Sequence, residues 1–351
     1  MEMKKCKLGD AGEFLNGKIR PTEKGNFPVY GGNGILDYCN QFNYENVIII
    51  GRVGAYCGCV SACYNKCWVS DNAIAFRPND ENDIHYLKYL LTSLNLNKKH
   101  VGAAQPLMTQ GILKSLDILL PELSIQKKIA SVLSSLDKRI ENLRAQNRVL
   151  EQTAKTIYDY TFLQCAGHQT TYNKTLNRNI PTNWEVKKLG DLLTIKNGKD
   201  HKHLKEGSFA VYGSGGLMRK VDSFLYDGES VLIPRKGTLN NVMYVDEKFW
   251  TVDTMFYTVM NEPYYGKYIY YSVRDIDFMA RNSGTGVPSM TSGYLNTISI
   301  MLPDAQTLEN FNNQVTPLFK KVQLNTKQIE ALTTQRNTLL PLLMTGQVEA
   351  C

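Results

Sequence analysis

The sequence predicts an α+β protein: two repeated mixed α/β domains separated by two long helices that form an antiparallel coiled coil. Three observations predict it. The first is a pair of heptad stripes. Ile129, Leu133, Leu136, Ile140, Leu143, Asn147, Leu150, Ala154 and Ile157 follow one another at alternating steps of four and three, the spacing of a coiled-coil seam. Phe311, Val315, Leu318, Val322, Asn325, Ile329, Leu332, Arg336, Leu339 and Leu343 repeat the pattern. The second is that the two stripes are in phase with a repeat of the chain, about 182 residues long, which is the first thing to seek in a new sequence. The third is that each stripe follows a stretch of mixed strand and helix signals.

The repeat is explicit in the residues. Leu8-Gly9-Asp10 returns as Leu189-Gly190-Asp191, and Asn16-Gly17-Lys18 as Asn197-Gly198-Lys199. Phe27-Pro28-Val29-Tyr30-Gly31 returns as Phe209-Ala210-Val211-Tyr212-Gly213. Trp68 and Asp71 return as Trp250 and Asp253, and Pro106-Leu107-Met108-Thr109 as Pro288-Ser289-Met290-Thr291. The expected order is a first domain over 1–123, a long helix over 124–163, a linker over 164–183, a second domain over 184–303, a second helix over 304–345 and a tail over 346–351.

In the first domain Val47–Ile50 reads as a buried strand ended by Gly51, Val69–Phe76 as another, Ile84–Leu94 as a helix and Leu116–Leu120 as a last strand. Ser230–Ile233, Phe249–Val259, Tyr264–Val273 and Thr297–Leu302 repeat that order. Ser124 is the expected cap of the first rod, which at 1.5 Å per residue is about 60 Å long. The polar stretch Gln164–Asn183, with Gly167 and Pro181, reads as a linker. Pro317 predicts a kink or restart in the second rod, and Pro341 an end close by. In an antiparallel pairing Asn147 faces a position close to Asn325, where two buried amides can satisfy each other and fix register. The length of the rods is then expected to set the gap between whatever the two domains bind.

Composition excludes some classes. The chain has 351 residues and a net charge of +7. No apolar run approaches membrane-spanning length and no signal-peptide core follows Met1, so a cytoplasmic protein is expected. Residues 1–123 hold 13 Lys and Arg against 12 Asp and Glu, and 184–303 hold 14 against 13. Residues 124–183, with 9 against 4, carry most of the excess. A neutral domain binds a polyanion only if its charges are segregated on one face.

The chemistry on offer is that of a binder. Gly12 to Lys18 is a phosphate-loop pattern without the closing Ser or Thr that holds magnesium, and a glycine turn carrying a lysine is the better reading. Cys57, Cys59, Cys63 and Cys67 are clustered but lack paired-hook spacing, and the second copy has no counterparts. Reduced thiols with no metal are expected. No Ser/His/Asp or Cys/His nucleophile and no Asn-Pro-Pro-aromatic methyltransferase motif stands out. The candidate DNA-contacting residues are basic or amide groups in loops: Lys18, Arg20, Arg52, Lys98 and Lys99 in the first copy, and Lys199, His201, Lys202, Arg235, Lys236, Asn240 and Asn241 in the second. Lys and Arg neutralise phosphates, and Arg, Asn and Gln can read base edges. A solvated surface is the plainer reading of each run alone. Arg52 and Arg235 gain weight because they follow matching strands.

With these residues in view, the chain resembles the specificity subunit of type I restriction–modification systems. The resemblance is carried by Pro181-Thr182-Asn183-Trp184-Glu185 leading into Lys188–Asp191, by Val231-Leu232-Ile233-Pro234-Arg235-Lys236-Gly237, by Leu120–Ala130 at the start of the first helix and by Leu339–Gly346 at the end of the second. The first copy lacks the Pro/Trp opening, and its Gly51-Arg52-Val53-Gly54 matches Pro234–Gly237 in part. The resemblance implies two target-recognition domains, each reading half of a bipartite double-stranded DNA site, and a subunit that itself makes no covalent bond. It implies helices that dock two modification (methyltransferase) subunits, joined by restriction/translocase subunits. No cofactor is expected in this chain; S-adenosylmethionine, ATP and Mg are expected on the partner subunits. A methylation-only system and a coiled-coil scaffold that does not bind DNA are the competing readings.

Overall fold

The computed structural model describes residues 2–102, 106–282 and 286–350. The chain divides into two compact units, one of Met1–Ala145 with Asn325–Cys351 and the other of Gln146–Leu324. Up to the first long helix the order is β1 (Lys4–Lys7), β2 (Gly12–Asn16), β3 (Phe27–Gly31), β4 (Gly34–Cys39), β5 (Tyr44–Gly51), β6 (Val60–Val69), β7 (Ala73–Pro78), α1 (Ile84–Ser93), α2 (Gln110–Ser115) and β8 (Asp117–Leu120). The long helix α3 (Leu123–Tyr158) follows, extended by a π-helical turn over Asp159–Leu163. Next come β9 (Thr170–Asn173), β10 (Arg178–Pro181), β11 (Glu185–Lys188), α4 (Leu189–Leu192), β12 (Leu193–Asn197), β13 (Glu206–Gly213), β14 (Gly216–Val221), β15 (Tyr226–Pro234), β16 (Met243–Thr251) and β17 (Met255–Met260). The chain closes with α5 (Tyr265–Arg274), α6 (Ser292–Asn296), β18 (Ser299–Leu302) and the long helix α7 (Ala305–Met344).

Each unit is built on one six-stranded sheet, in the order β2-β7-β5-β6-β3-β4 and β12-β17-β15-β16-β13-β14. All neighbours are antiparallel except β3 with β6 and β13 with β16. The continuous apolar run of β5 is explained by burial of both sheet faces. Ile48 and Ile50 pack with Phe76, Leu87 and Leu91 on the helix side, while Val47 and Ile49 pack with Cys63, Val69 and Ala75 on the other. Val231 and Ile233 face the helices of their unit, and Leu232 faces Val211 and Phe249. Small ladders, β1 with β8 and β11 with β18, tie the start of each domain to the strand before its long helix.

Within each unit the two long helices pair antiparallel. In the first, Ile129 and Leu133 near the start of α3 share a core with Leu343 and Met344 at the end of α7. In the second, Ala154 and Tyr158 at the end of α3 share a core with Leu308, Phe311 and Val315 at the start of α7. Ile129, Leu133, Ile140, Leu143, Val315, Asn325 and Leu343 of the seam are buried. Leu136, Asn147, Leu150, Ile157, Leu318, Val322, Ile329, Leu332 and Leu339 are partly covered.

Three expectations need correction. The runs Val69–Phe76 and Phe249–Val259 are each two strands, because the chain turns at Ser70–Ala73 and again at Val252–Met255. The linker 164–183 has structure of its own: β9 and β10 pair as a hairpin, with the two turn amides of Thr175 and Leu176 donating to the Asn173 side chain. Pro317 neither breaks nor restarts α7, which does end near Pro341, at Met344. Both prolines, and Asn313 and Asn337 four residues earlier, are exposed, so the carbonyls deprived of a helical partner can bond to water. The helix starts at Leu123 rather than after a Ser124 cap.

Candidate nucleic-acid interface

The cations singled out from sequence gather around one turn in each unit, and the same backbone clamps place them. Gly17 and Gly198 cross the turn so closely that a methyl group on either would strike a carbonyl, of Ser70 in one case and of Val252 in the other. This, not phosphate binding, is why Asn-Gly-Lys recurs, and in the first copy Gly12–Asn16 is a strand rather than a loop leading into a helix. The next residue is then fixed on both sides of its backbone. Lys18 donates its N–H to Val69 at 3.0 Å, and Trp68 Nε1 donates to the Lys18 carbonyl at 3.2 Å. Lys199 donates to Thr251 at 2.9 Å, and Trp250 Nε1 donates to the Lys199 carbonyl at 2.9 Å. With the main chain pinned, both lysine side chains stand exposed at the turn.

Arginine reaches the same turn from the strand beside it. Arg52 N donates to Asn72 O at 2.9 Å and Arg235 N to Thr254 O at 2.8 Å. Their carbonyls accept from Met108 and Met290 at 2.8 Å each. Those methionines are buried, and the threonine after each caps a short helix, Thr109 for α2 and Thr291 for α6. The Pro-x-Met-Thr repeat is thus the anchor of the arginine. Gly54 and Gly237, two residues beyond each arginine, sit at φ of 71° and 85°, where a side chain would be strained. Arg235 also lies over the Phe256 ring at 6.0 Å, which limits where its guanidinium can go.

The remaining candidates divide. Lys236 is exposed beside Arg235, and Val53 holds the matching place in the first copy, as their bridges to Ser289 and Leu107 show. Lys98 and Lys99 lie on the turn after Leu96, which packs against the backbone of Gly58, so they border the loop that follows Arg52. His201 is held through its Nδ1 by Arg219 Nε at 3.1 Å, and Arg219 also donates to the Leu204 carbonyl at 3.1 Å, which shapes the loop that exposes Lys202. Arg20 is 3.7 Å from Asp37, which Lys24 also pairs at 2.5 Å. Lys24 and the Tyr38 amide hold the Asp37 carboxyl below the usual carboxylate range, and Arg20 is drawn to that carboxylate. The two asparagines act as braces. Asn240 donates to Asp277 at 3.1 Å and accepts from Met279 N at 3.0 Å, while Asn241 donates to the Ser214 carbonyl at 2.9 Å. Asn240 and the Ala280 amide hold the Asp277 carboxyl low.

Among the described residues no carboxylate lies within ion-pairing distance of Lys18, Arg52, Lys98, Lys99, Lys199, Lys202, Arg235 or Lys236. Cations left without a carboxylate partner are available to a polyanion. Sequence reasoning passed over three groups of residues here. Trp68 and Trp250 act as backbone clamps, and Asp71 and Asp253 are exposed on the turns themselves. Arg281 lies on the loop docked to Asn240. The first two were flagged by the repeat itself, whereas Arg281 had no signal. Among the described residues no group of three or more His, Cys, Asp or Glu is placed so that it could hold a metal ion. Cys57 and Cys59 flank a turn, and Cys63 and Cys67 lie on β6.

Two copies of one domain, each with a clamped Lys and Arg on the same turn and followed by a long helix, define the class. The model of the type I restriction modification DNA specificity domain matches residues 1–152 and again 181–334, and the chain belongs to this family. It is a type I restriction–modification specificity subunit with two target-recognition domains. It is 28% identical over 307 residues to the type I restriction enzyme MjaIX specificity subunit of Methanocaldococcus jannaschii, covering 77% of this chain and 70% of that one. It is 28% identical over 155 residues to the EcoprrI specificity subunit of Escherichia coli, covering 44% of this chain and 39% of that one. The crystal structure of a type I S subunit from M. genitalium superposes with a TM-score of 0.73 at 20% identity, covering 97% of this chain and 96% of that one, a likeness of fold. No helix among the described residues is long and apolar enough to cross a membrane.

Proposed function

We propose that the chain binds double-stranded DNA through the two cation-bearing turns, each domain reading one half of a bipartite site. The observation that supports this most is the duplicated clamp. Lys18 with Arg52, and Lys199 with Arg235, are placed by the same hydrogen bonds and left without acidic partners. The lysines would neutralise phosphates and so position the domain. Arg52 and Arg235, with more restricted side chains, are the candidates for bidentate contact with guanine. The long helices would dock two modification subunits that carry S-adenosylmethionine, and restriction/translocase subunits with ATP and Mg would join them. The chain itself would choose the site and catalyse nothing.

The test is DNA binding by the chain in complex with its modification subunit. Arg235→Ala with Lys236→Ala should weaken binding and lower the salt slope by about 1 or more, for the loss of at least one phosphate contact. An unchanged affinity and slope in a folded variant would remove this loop from the interface.

A further inference from the structure

We propose that an exposed apolar pair at the tip of one hairpin in each domain, Ile35–Leu36 and Leu217–Met218, touches bases directly and sets part of the sequence each domain accepts. The inference rests on the DNA reading above and adds residues with no charge to it.

The pairs occupy the same place in the repeat. Strands β3 and β4 meet at Gly31–Gly34, and β13 and β14 at Gly213–Gly216. In the first hairpin Tyr30 faces Ile35 but Val29 faces Asp37, so Leu36 is an extra, bulged residue. In the second Tyr212 faces Leu217 but Val211 faces Arg219, so Met218 is the extra one. A regular strand sends successive side chains to opposite faces. A bulge re-aims one of them. Both members of each pair end up outside: Ile35 is 49% exposed, Leu36 54%, Leu217 49% and Met218 56%. The bulged side chain lies across a glycine in both copies. A methyl group on Gly31 would come within 2.5 Å of Leu36 Cδ1, and one on Gly213 within 2.6 Å of Met218 Sδ. The glycine that closes the Phe-x-Val-Tyr-Gly repeat thus leaves room for the bulged side chain in each copy.

The tips adjoin the cation turns. Tyr30 O accepts from Ser70 N at 2.9 Å, and Tyr212 O accepts from Val252 N at 3.0 Å. Asn241, in the loop that follows Arg235, donates to the carbonyl of Ser214 at the tip itself. Two solvent-facing aliphatic side chains thus stand beside Lys and Arg side chains that have no acidic partner. An apolar protein surface would match the first feature and not the second. Duplex DNA matches both: phosphates for the cations, and thymine methyls or opened base steps for the aliphatic groups. The chemistry of the pair also differs between copies, Ile-Leu against Leu-Met, as it would if the two half-sites differ.

The experiment compares methylomes of cells expressing the modification subunit with this chain or with variants, alongside duplex binding by the purified complexes. Leu217→Ala with Met218→Ala should relax base choice at one or two positions of one half-site, with discrimination there falling about fivefold to tenfold. Binding to unrelated duplex and the salt slope should stay unchanged. Ile35→Ala with Leu36→Ala should relax the other half-site and leave the first intact. Met218→Leu, which keeps the apolar bulk, should retain the parent preference. An unchanged motif in both double variants, while Arg235→Ala with Lys236→Ala lowers methylation at all sites, would overturn the proposal and leave the DNA reading standing. Loss of the modification subunit from complexes of the hairpin variants would overturn it in favour of protein docking. No effect from the hairpin variants or from the cation variant would remove both.

Discussion

Gly198 shows how much of the interface depends on one missing methyl. Its neighbour Lys199 can be pinned by Thr251 and Trp250 only because the main chain passes against the Val252 carbonyl. In Gly198→Ala, backbone would have to move away from backbone, with no flexible side chain to yield. The expected cost is about 3 kcal/mol or more, read as a lowered thermal midpoint by circular dichroism. DNA affinity should fall even in the fraction that stays folded, because Lys199 is displaced. Gly17→Ala should do the same through Ser70. At this scale the sequence was half legible. The repeat of Asn-Gly-Lys, Trp and Pro-x-Met-Thr marked the positions that matter. It favoured a glycine turn over a phosphate cradle but did not show the turn to be a crossing point, nor did it tell asparagine as a base reader from asparagine as a brace. Those distinctions depend on what lies across from the residue, and Asp277 is 37 positions from Asn240.

At the scale of elements, the long helices were the most legible feature. Their period of 3.5 survives any loop, and their boundaries moved by few residues. Two details of the pairing carry predictions. Arg336, at a seam position of α7, donates to Asp137 of α3 at 2.8 Å, and Tyr89 OH donates to the same carboxylate at 2.6 Å. Burial pushes the Asp137 carboxyl up, but Tyr89, Arg336 and nearby Lys88 outweigh it and hold the group below the ordinary range. Its pKa is therefore lower folded than unfolded. The stability it supplies is present above the unfolded carboxylate range and is lost as pH falls through the folded value. Asp137→Asn should cost about 2 kcal/mol near neutral pH and flatten the acid limb of the stability curve, measured by denaturant titration from neutral to acid. Pro317 carries the opposite expectation. It deprives an exposed carbonyl of its helical partner without breaking α7, so Pro317→Ala should stabilise the second unit by about 1–3 kcal/mol. A raised denaturation midpoint for that unit is the readout. The elements that sequence misplaced were short and ended by turns. Apolar runs such as Phe249–Val259 carry no mark of a reversal when the turn residues are themselves apolar or small. The β9–β10 hairpin has two strands of only four residues, TTYN and RNIP, too short and too poor in apolar residues to show an alternation.

At the scale of the whole molecule, the two domains are independent statements of one plan. The sheets have the same strand order, and each keeps its own core and its own turn. If each reads half of a site, then exchanging residues 184–303 for the corresponding segment of another family member should replace one half of the methylated motif and leave the other as it was. Methylome sequencing of cells carrying the chimera decides this, and a change in both halves would show that the domains do not read separately.

The two units differ in one respect that bears on how the molecule is made. The second unit is a single stretch of chain, whereas the first is closed by residues 325–350, and its Asp137–Arg336 contact joins positions 199 residues apart. During synthesis from the N-terminus, the second unit holds all its partners while the last part of α7 is still inside the ribosome. The first unit, although translated earlier, cannot complete the core around Ile129 and Leu133 until Leu343 and Met344 in the final turn of α7 emerge. Closing so long a loop is entropically costly and slow. The half of the protein born first is thus the half finished last, and over that interval its exposed seam is the surface a chaperone would have to shield.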